Sequence, residues 1–189
     1  MEGPKIINIV GTTNRYMIKK LTQNKALERK RLNHAKWNLS PEELQFSNQL
    51  KALNEIFFDN LCDNKLYTNE MSKIMTKQIN QKIAGYKNQD LTKNMFCVQK
   101  FIAFTDIIAR MNKCELICYY CKQEMVVLYD ISREMKQWTV DRIDNNKGHN
   151  KDNFHLACLE CNLKRRKQSD DKFLFTKQLN IIQKDKQVY

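Results

Sequence analysis

The pattern of apolar and polar positions divides the chain of 189 residues into a helical first part, residues 1–115, and a mixed second part, residues 116–189. In the first part, apolar residues recur at three- and four-residue steps, the spacing that keeps them on one face of a helix. This spacing predicts helices over residues 40–61, 68–85 and 100–113, and a basic helix over residues 14–36, where the spacing is only partly helical. We interpret their apolar stripes as core-facing.

Local signals predict where two of these helices begin and end. Ser40, Pro41 and Glu43 form a capping box with proline at the first helical position, so we expect the second helix to begin there. Thr68 is expected to cap the third helix, and Gly85 to end it in a left-handed conformation.

The second part has the pattern of short strands. Residues 125–129 and 137–142 are rich in β-branched and aromatic side chains, which predicts two strands. Residues 145–148 read Asn-Asn-Lys-Gly, a turn signal, after which residues 154–157 are expected to form a return strand. A helix is expected to open at Leu159. A final helix is expected after Asp170 and Asp171. The predicted fold class is therefore α+β, with a helical N-terminal region followed by a small ββα module and a C-terminal helix.

Four of the seven cysteines stand in two Cys-x-x-Cys pairs, Cys118 with Cys121 and Cys158 with Cys161. Two residues between the thiolates let one tight turn present both to the same Zn²⁺, and two such pairs complete a closed tetrahedral site. A closed site has no open coordination position. The zinc is therefore expected to be structural.

The other cysteines lack this spacing. Cys114 is an alternative to Cys118 in the first pair, while Cys62 and Cys97 are expected to be ordinary buried thiols. An odd cysteine count in this arrangement indicates metal ligation rather than a disulfide framework. No apolar run approaches the ~20 residues needed to cross a bilayer, and no secretory signal is recognisable. We therefore expect an intracellular, reducing compartment and no membrane partner.

The residues between and after the cysteine pairs follow an ordered polar pattern. Residues 138–146 read Trp-Thr-Val-Asp-Arg-Ile-Asp-Asn-Asn, residues 148–150 read Gly-His-Asn, and Asn153 and Asn162 follow. Over residues 117–167 this order resembles the HNH endonuclease family, the zinc-stapled branch of the ββα-metal nucleases, and in particular a subgroup from large DNA viruses of eukaryotes. The resemblance implies a treble-clef zinc module and metal-dependent cleavage of DNA. It also implies a viral protein, located in the host cell or in the virus particle.

The resemblance also implies roles for three polar residues. Asp141 falls at the acidic position of the family and Asn162 at its final Asn or His, so both are expected to bind a catalytic Mg²⁺ or Mn²⁺ through oxygen. Asn153 falls at the central Asn, which is expected to orient the base and to hold the loop.

One position departs from the family pattern. Arg142 stands where the family has its first His, the usual general base. Its guanidinium has a pKa above ~12 and cannot accept a proton near neutrality, so Arg142 is expected to bind a phosphate oxygen instead. The base is then Asp144, His149, or the solvent or substrate itself. These alternatives stay open at the level of sequence.

The chain is strongly basic, with 33 Lys and Arg against 21 Asp and Glu and a net charge of +12. Residues 5–36 contain nine bases and a single acid. Such a stretch favours polyanions through counterion release, although a solvated helix face has the same composition. We expect DNA as the partner, with RNA left open. The expected contacts are Lys19, Lys20, Arg29, Lys30 and Arg31 in the first part and Arg142, Lys164, Arg165, Arg166 and Lys167 in the second.

Three functions fit these observations. The leading hypothesis is an HNH-type endonuclease acting on DNA. The main rival is a catalytically inactive descendant that keeps zinc and basic surface to bind or package DNA, and the third is a structural component of a viral particle. Metal-dependent nicking separates the first from the other two, and salt-sensitive DNA affinity separates the second from the third.

Overall fold

Helices and a small sheet build the part of the chain that the computed structural model describes, residues 39–62 and 69–179. The elements are α1 (Phe46–Leu61), α2 (Glu70–Thr92), α3 (Phe104–Lys113), β1 (Trp138–Arg142), β2 (Phe154–Cys158), α4 (Leu159–Arg165) and α5 (Asp170–Gln178). The α+β class predicted from the sequence is confirmed. The predicted helix over residues 14–36, with Lys19, Lys20, Arg29, Lys30 and Arg31, lies outside the described residues. No described helix is both long and apolar enough to cross a membrane.

The predicted capping box forms, but it closes a separate turn. The Glu43 carboxylate accepts a hydrogen bond from the Ser40 N–H (2.6 Å), and the Glu43 N–H donates to Ser40 Oγ (3.2 Å). Gln45 then adopts an extended backbone, so α1 begins at Phe46, later than predicted. The buried positions of α1 are Gln49, Ala52, Leu53 and Ile56.

The prediction that Gly85 ends a helix is wrong. α2 runs through this position and ends at Thr92. The helix continues because residues beyond Gly85 pack against the second part of the chain. Tyr86 Oη accepts a hydrogen bond from the Val140 N–H (3.0 Å), and Asp90 is 1% exposed. Tertiary contacts therefore override the local helix-ending tendency of glycine.

The other helix starts lie near their predicted positions. Asn69 caps α2 through its side chain, while Thr68, the predicted cap, lies outside the described residues. α3 begins at Phe104 rather than at residue 100. The preceding residues pair with a loop of the second part, since the Ile102 N–H donates to the His149 carbonyl (3.0 Å).

β1 and β2 form an antiparallel two-stranded sheet in which Asp141 lies opposite His155. The strand predicted over residues 125–129 is reduced to an isolated bridge. A buried side chain of α1 takes the place of a neighbouring strand there. The Gln49 amide oxygen accepts from the N–H groups of Val127 (2.8 Å) and Leu128 (2.9 Å), and its amide nitrogen donates to the Leu128 carbonyl (3.0 Å).

One apolar core joins α1, α2 and α3 to the sheet and the cysteine-containing segment. At its edge, the Lys82 ammonium of α2 donates to the side chain of Gln137 (2.9 Å) and to the carbonyl of Trp138, and lies 4.8 Å from the centroid of the Trp138 ring. The domain boundary between residues 115 and 116 stays a prediction. In the described residues, the two sides of that boundary share buried polar as well as apolar contacts.

Candidate metal centre and adjacent cleft

Four cysteines form a compact cluster at the junction of the sheet and α4. The Sγ atoms of Cys118, Cys121, Cys158 and Cys161 all lie within 4.8 Å of one another, and the Cys121 and Cys158 sulfurs are 3.8 Å apart. A tetrahedral zinc with Zn–S bonds of ~2.3 Å has sulfur–sulfur edges of ~3.8 Å. The cluster is therefore a possible metal site whose size and ligands suit zinc.

Local backbone geometry brings the two pairs together. In the first pair, the Cys118 N–H donates to the Gln123 carbonyl (2.9 Å) and the Lys122 N–H donates back to the Cys118 carbonyl (3.1 Å). Lys122 completes this turn with a φ of 56°. The second pair spans the end of β2 and the first turn of α4, where the Cys161 N–H donates to Cys158 Sγ (3.5 Å). The Cys158 N–H reaches across to Cys118 Sγ (3.3 Å).

The pKa values of three thiols in the cluster shift in different directions. The pKa of Cys118 lies far below its usual range, because Cys158 and Cys161 hydrogen-bond to its sulfur. The pKa of Cys158 is raised to about 12, first by its hydrogen bond with Cys118, and the pKa of Cys161 is also raised, first by Cys118. Without a cation, the protein thus favours ionisation of Cys118 and opposes ionisation of Cys158 and Cys161. A bound cation would supply the missing charge compensation.

The remaining thiols lie outside this cluster. Cys114 is half-buried and its Sγ lies 3.5 Å from the Met111 carbonyl, so the cluster uses Cys118 as the sequence spacing favours. Cys62 is exposed and Cys97 is partly exposed. Neither is the buried thiol that we expected, because Cys62 directly follows the end of α1 and Cys97 lies in the connection between α2 and α3.

A cleft of about 500 Å³ opens between α2, β1 and α4. Asp141, Arg142, His149 and Asn162 all line it. The cysteine cluster positions two of its walls, because Cys158 and Cys161 anchor α4 directly before Asn162. The structure therefore brings together four of the residues that the sequence analysis indicated as catalytic, whereas Asn153 and the alternative base Asp144 do not line the cleft.

Asp141 is buried and has partners on both carboxylate oxygens. Its side chain is 5% exposed, Tyr120 Oη donates to Oδ2 (2.6 Å), and Arg165 Nη1 donates to Oδ1 (2.8 Å). Burial raises the pKa of Asp141, and the hydrogen bond from Tyr120 and the charge of Arg165 only partly oppose this rise. A carboxylate offers about four lone-pair positions. Two are used here, which leaves capacity for a cation.

Arg165 lies in the interior rather than on a nucleic-acid surface. It is 1% exposed, and its guanidinium donates to Asp141 and to the carbonyls of Arg142 and Ile143, each at 2.8 Å. Its Nε is buried without a partner among the residues described. The expected contact of Arg165 with nucleic acid does not fit this position. Its charge instead fixes α4 to the end of β1.

The other basic residues of this stretch remain on the surface. Lys164 pairs with Glu160 one helical turn earlier, and Lys167 is exposed. Arg166 is exposed, adopts a φ of 53° at the end of α4, and lines the cleft. Because this positive φ ends the helix, Arg166 does not continue the exposed helix surface of Lys164, and it lines the cleft instead.

Arg142 and Asn153 hold the loop that follows β1. Arg142 Nη1 donates to the carbonyls of Asn145 (3.2 Å) and Lys147 (2.9 Å). The Asn153 amide oxygen accepts from the Asp144 N–H (2.8 Å), and its amide nitrogen donates to the Asp144 and Gly148 carbonyls (3.0 Å each). Asn153 thus has the loop-holding position that we expected. Nothing in the sequence indicated that Arg142 would also hold this loop.

The Asn162 amide is oriented by the strand beside it. Nδ2 donates to Thr139 Oγ1 (3.0 Å) and more weakly to the Val140 carbonyl (3.4 Å). These bonds do not use the amide oxygen, and no described residue donates a hydrogen bond to it. Because Asn162 lines the cleft, its oxygen is available to a cation.

His149 is held by Asp90, a residue to which the sequence analysis gave no role. His149 Nδ1 lies 2.7 Å from Asp90 Oδ1, and the His149 N–H donates to Asp90 Oδ2 (2.6 Å). Tyr86 stacks on the imidazole with centroids 4.7 Å apart. Burial lowers the pKa of His149, and the hydrogen bond and charge of Asp90 oppose that fall.

Glycine is required where the loop passes over Asp90. A Cβ added to Gly148 would lie 2.5 Å from the Met95 carbonyl oxygen and 2.7 Å from Asp90 Oδ2. Those separations are far shorter than any van der Waals contact. Gly148 therefore permits the close approach that places the next residue, His149, on the carboxylate.

Two other polar residues of this region lie outside the cleft lining. Asp144, the alternative base, is half-exposed and pairs with Lys147 (3.5 Å). Its pKa is lowered, first by the backbone N–H of Asn146. His155 stacks on Tyr119 with centroids 3.6 Å apart. Neither residue lines the space beside Asp141 and Asn162.

Comparisons with protein-family models, with curated proteins and with solved structures found no match to this chain. Its function therefore has to be inferred from the site itself.

Proposed function

We propose that this protein is a divalent-metal-dependent endonuclease of the HNH type that cleaves DNA, built on a treble-clef zinc module. The observation that carries the proposal is the position of two candidate metal ligands. β1 and α4, the strand and helix beside the cysteine cluster, present Asp141 and Asn162 to one cleft. Both offer oxygen, the ligand type that Mg²⁺ and Mn²⁺ prefer.

The two metals have different roles in this proposal. Zinc at the four cysteines is structural and holds α4 beside β1. A catalytic Mg²⁺ or Mn²⁺, held by Asp141 and Asn162, would stabilise charge on the phosphate and on the leaving oxygen. Arg142 and Arg166 line the same cleft and supply positive charge for the phosphodiester backbone.

Plasmid nicking with variants of Asn162 tests the proposal. Zinc-loaded protein is incubated with supercoiled plasmid in Mg²⁺, Mn²⁺ or EDTA. Asn162→Leu should abolish nicking because it removes the ligand oxygen, whereas Asn162→Asp keeps that oxygen and should retain activity. Asn80→Leu is the matched control, since Asn80 is exposed on α2 and bonds only within its own helix. Nicking in EDTA, or full activity of Asn162→Leu, would contradict the proposal.

A second candidate, DNA binding without hydrolysis, has one observation in its favour. Both carboxylate oxygens of Asp141 already accept protein hydrogen bonds, and Arg142 occupies the position of the family's base. This candidate predicts salt-sensitive DNA affinity with no nicking in any divalent metal. A structural particle component would show neither property. Labelled RNA, run in the same assay, decides between the two nucleic acids.

A further inference from the structure

We infer that His149 is the general base of this site and that Asp90 is the residue that positions it. The inference deepens the proposed function and rests on it. It moves the proton-accepting role from the strand position that Arg142 occupies to the loop after β1. It also makes α2, from the helical part of the chain, a component of the active site.

The first step is the contact between the two side chains. Asp90 is 1% exposed and its Oδ1 lies 2.7 Å from His149 Nδ1. A buried carboxylate at this distance keeps the proton on Nδ1. Nε2 then carries the lone pair. This is the arrangement in which a carboxylate orients a catalytic imidazole and stabilises the imidazolium that forms.

The second step is the direction of Nε2. Nε2 is separated from Nδ1 by one ring carbon and faces away from Asp90, His149 lines the cleft, and no described residue bonds Nε2. The ring is also fixed. Tyr86 covers a face of the imidazole, and the backbone of His149 is held on both sides, by Asp90 Oδ2 and by the Ile102 N–H. A base that is held in one orientation needs no reorganisation when it accepts a proton.

The third step is the protonation state. The charged groups acting on His149 are Asp90 from α2, Arg142 from β1 and Lys93 at the end of α2. Burial, Arg142 and Lys93 lower its pKa, and Asp90 opposes them. The net direction is downward from an ordinary value of about 6.5. The shift therefore favours the neutral imidazole, the form that can accept a proton.

The chemical step balances without a further reactant. The oxygen of a water molecule attacks the phosphorus while one of its protons passes to His149 Nε2. The bond from phosphorus to the leaving oxygen breaks, and that oxygen takes a proton from solvent. His149 then returns its proton to solvent, so that water and a phosphodiester yield a phosphomonoester and a free hydroxyl.

Single-turnover nicking as a function of pH tests the inference. His149→Ala should lower the rate by about 10²- to 10⁴-fold, and added imidazole should restore part of it. Asp90→Asn should lower the rate by about 10- to 100-fold. It should also move the acidic limb of the pH–rate profile to lower pH, because the imidazolium loses its carboxylate. His155→Phe is the matched control and should keep the wild-type rate and profile.

The outcomes separate this inference from the proposed function. Wild-type rates for His149→Ala and Asp90→Asn, beside an inactive Asn162→Leu, would overturn the inference alone. Loss of activity without imidazole rescue and without a shifted limb would indicate a structural role and also overturn it. If the wild-type protein nicks DNA in no divalent metal, both the inference and the proposed function are refuted. If Asp90→Asn fails to fold, the ¹⁵N shifts of wild-type His149 decide, since a proton on Nε2 rather than on Nδ1 refutes the inference.

Discussion

Replacing Arg165 with methionine should destabilise the protein far more than the same change at its neighbour Lys164. The two residues are adjacent in α4 and carry the same charge, but their surroundings differ. Arg165 is 1% exposed and makes three hydrogen bonds of 2.8 Å, one of them to Asp141. Lys164 is exposed and pairs with an exposed Glu160. Methionine keeps most of the apolar stem in both cases.

The structure gives the expected size of the difference. Arg165→Met leaves the Asp141 carboxylate buried with Tyr120 as its remaining partner, and breaking a buried ion pair from one side costs about 3–5 kcal/mol. The raised pKa of Asp141 shows that burial already outweighs its stabilising contacts. Loss of an exposed pair at Lys164 costs ~0–1 kcal/mol. Against a typical unfolding free energy of ~5–15 kcal/mol, the first loss is large and the second negligible.

Urea denaturation of the zinc-loaded variants, followed by circular dichroism, measures both losses. The double variant Asp141→Asn, Arg165→Met should recover part of the stability, because it removes the unpaired buried charge. If Arg165→Met lies within ~1 kcal/mol of Lys164→Met, the reasoning fails, because that loss is typical of a surface pair. The result also bears on function. Loss of nicking in an Asp141 variant is ambiguous until its stability is known, which is why Asn162 is the better test of the metal.

Further predictions concern zinc, glycine and pH. Elemental analysis should find one zinc per chain, lost together with the fold in Cys161→Ser and kept in Cys114→Ser. In thermal denaturation, Gly85→Ala should stabilise by about 0.5–1 kcal/mol, because a Cβ there meets nothing within 4 Å inside a helix. Gly148→Ala should destabilise the protein, since its Cβ would lie 2.5 Å from a carbonyl oxygen. A destabilising Gly85→Ala would contradict the first of these predictions, and a stabilising Gly148→Ala the second. Because the pKa of His149 is lowered in the folded state, the unfolded state binds the proton first, so stability should fall as pH drops below ~6.5. Urea denaturation at pH 7.5 and 5.5 should show a smaller loss for His149→Gln than for wild type, and equal losses would refute this.

Local geometry explains which parts of the site could be predicted from the sequence. Two residues between paired cysteines restrict each pair to one turn, and the step from β2 into α4 follows directly from the position of Cys158. The cysteine cluster and the two observed strands therefore needed no knowledge of distant residues. The identity of the metal and the nuclease activity do not follow from this geometry, and they stay proposals.

Contacts between distant residues could not be predicted in the same way. Gln49 supplies the hydrogen bonds that a neighbouring strand would give to residues 127–128, so a segment with a strand pattern forms no regular strand. Asp90 did leave a signal. It follows Ile83 and Tyr86 at helical three- and four-residue steps, and a charged residue that continues an apolar stripe indicates a buried polar partner. The stop expected at Gly85 obscured this signal, because it ended the predicted helix before Asp90.

The helices are therefore part of the site rather than an attachment to it. Gln49, Tyr86 and Asp90 satisfy backbone or imidazole groups of the second part. A fragment of residues 116–189 would expose these groups and the apolar surface beside them. We expect such a fragment to bind zinc through its cysteines, yet to lack the cooperative unfolding and the nicking that we predict for the whole chain. Denaturation and plasmid assays on the two proteins, each with one zinc, measure this. Cooperative unfolding and wild-type nicking by the fragment would show that the base does not depend on α2.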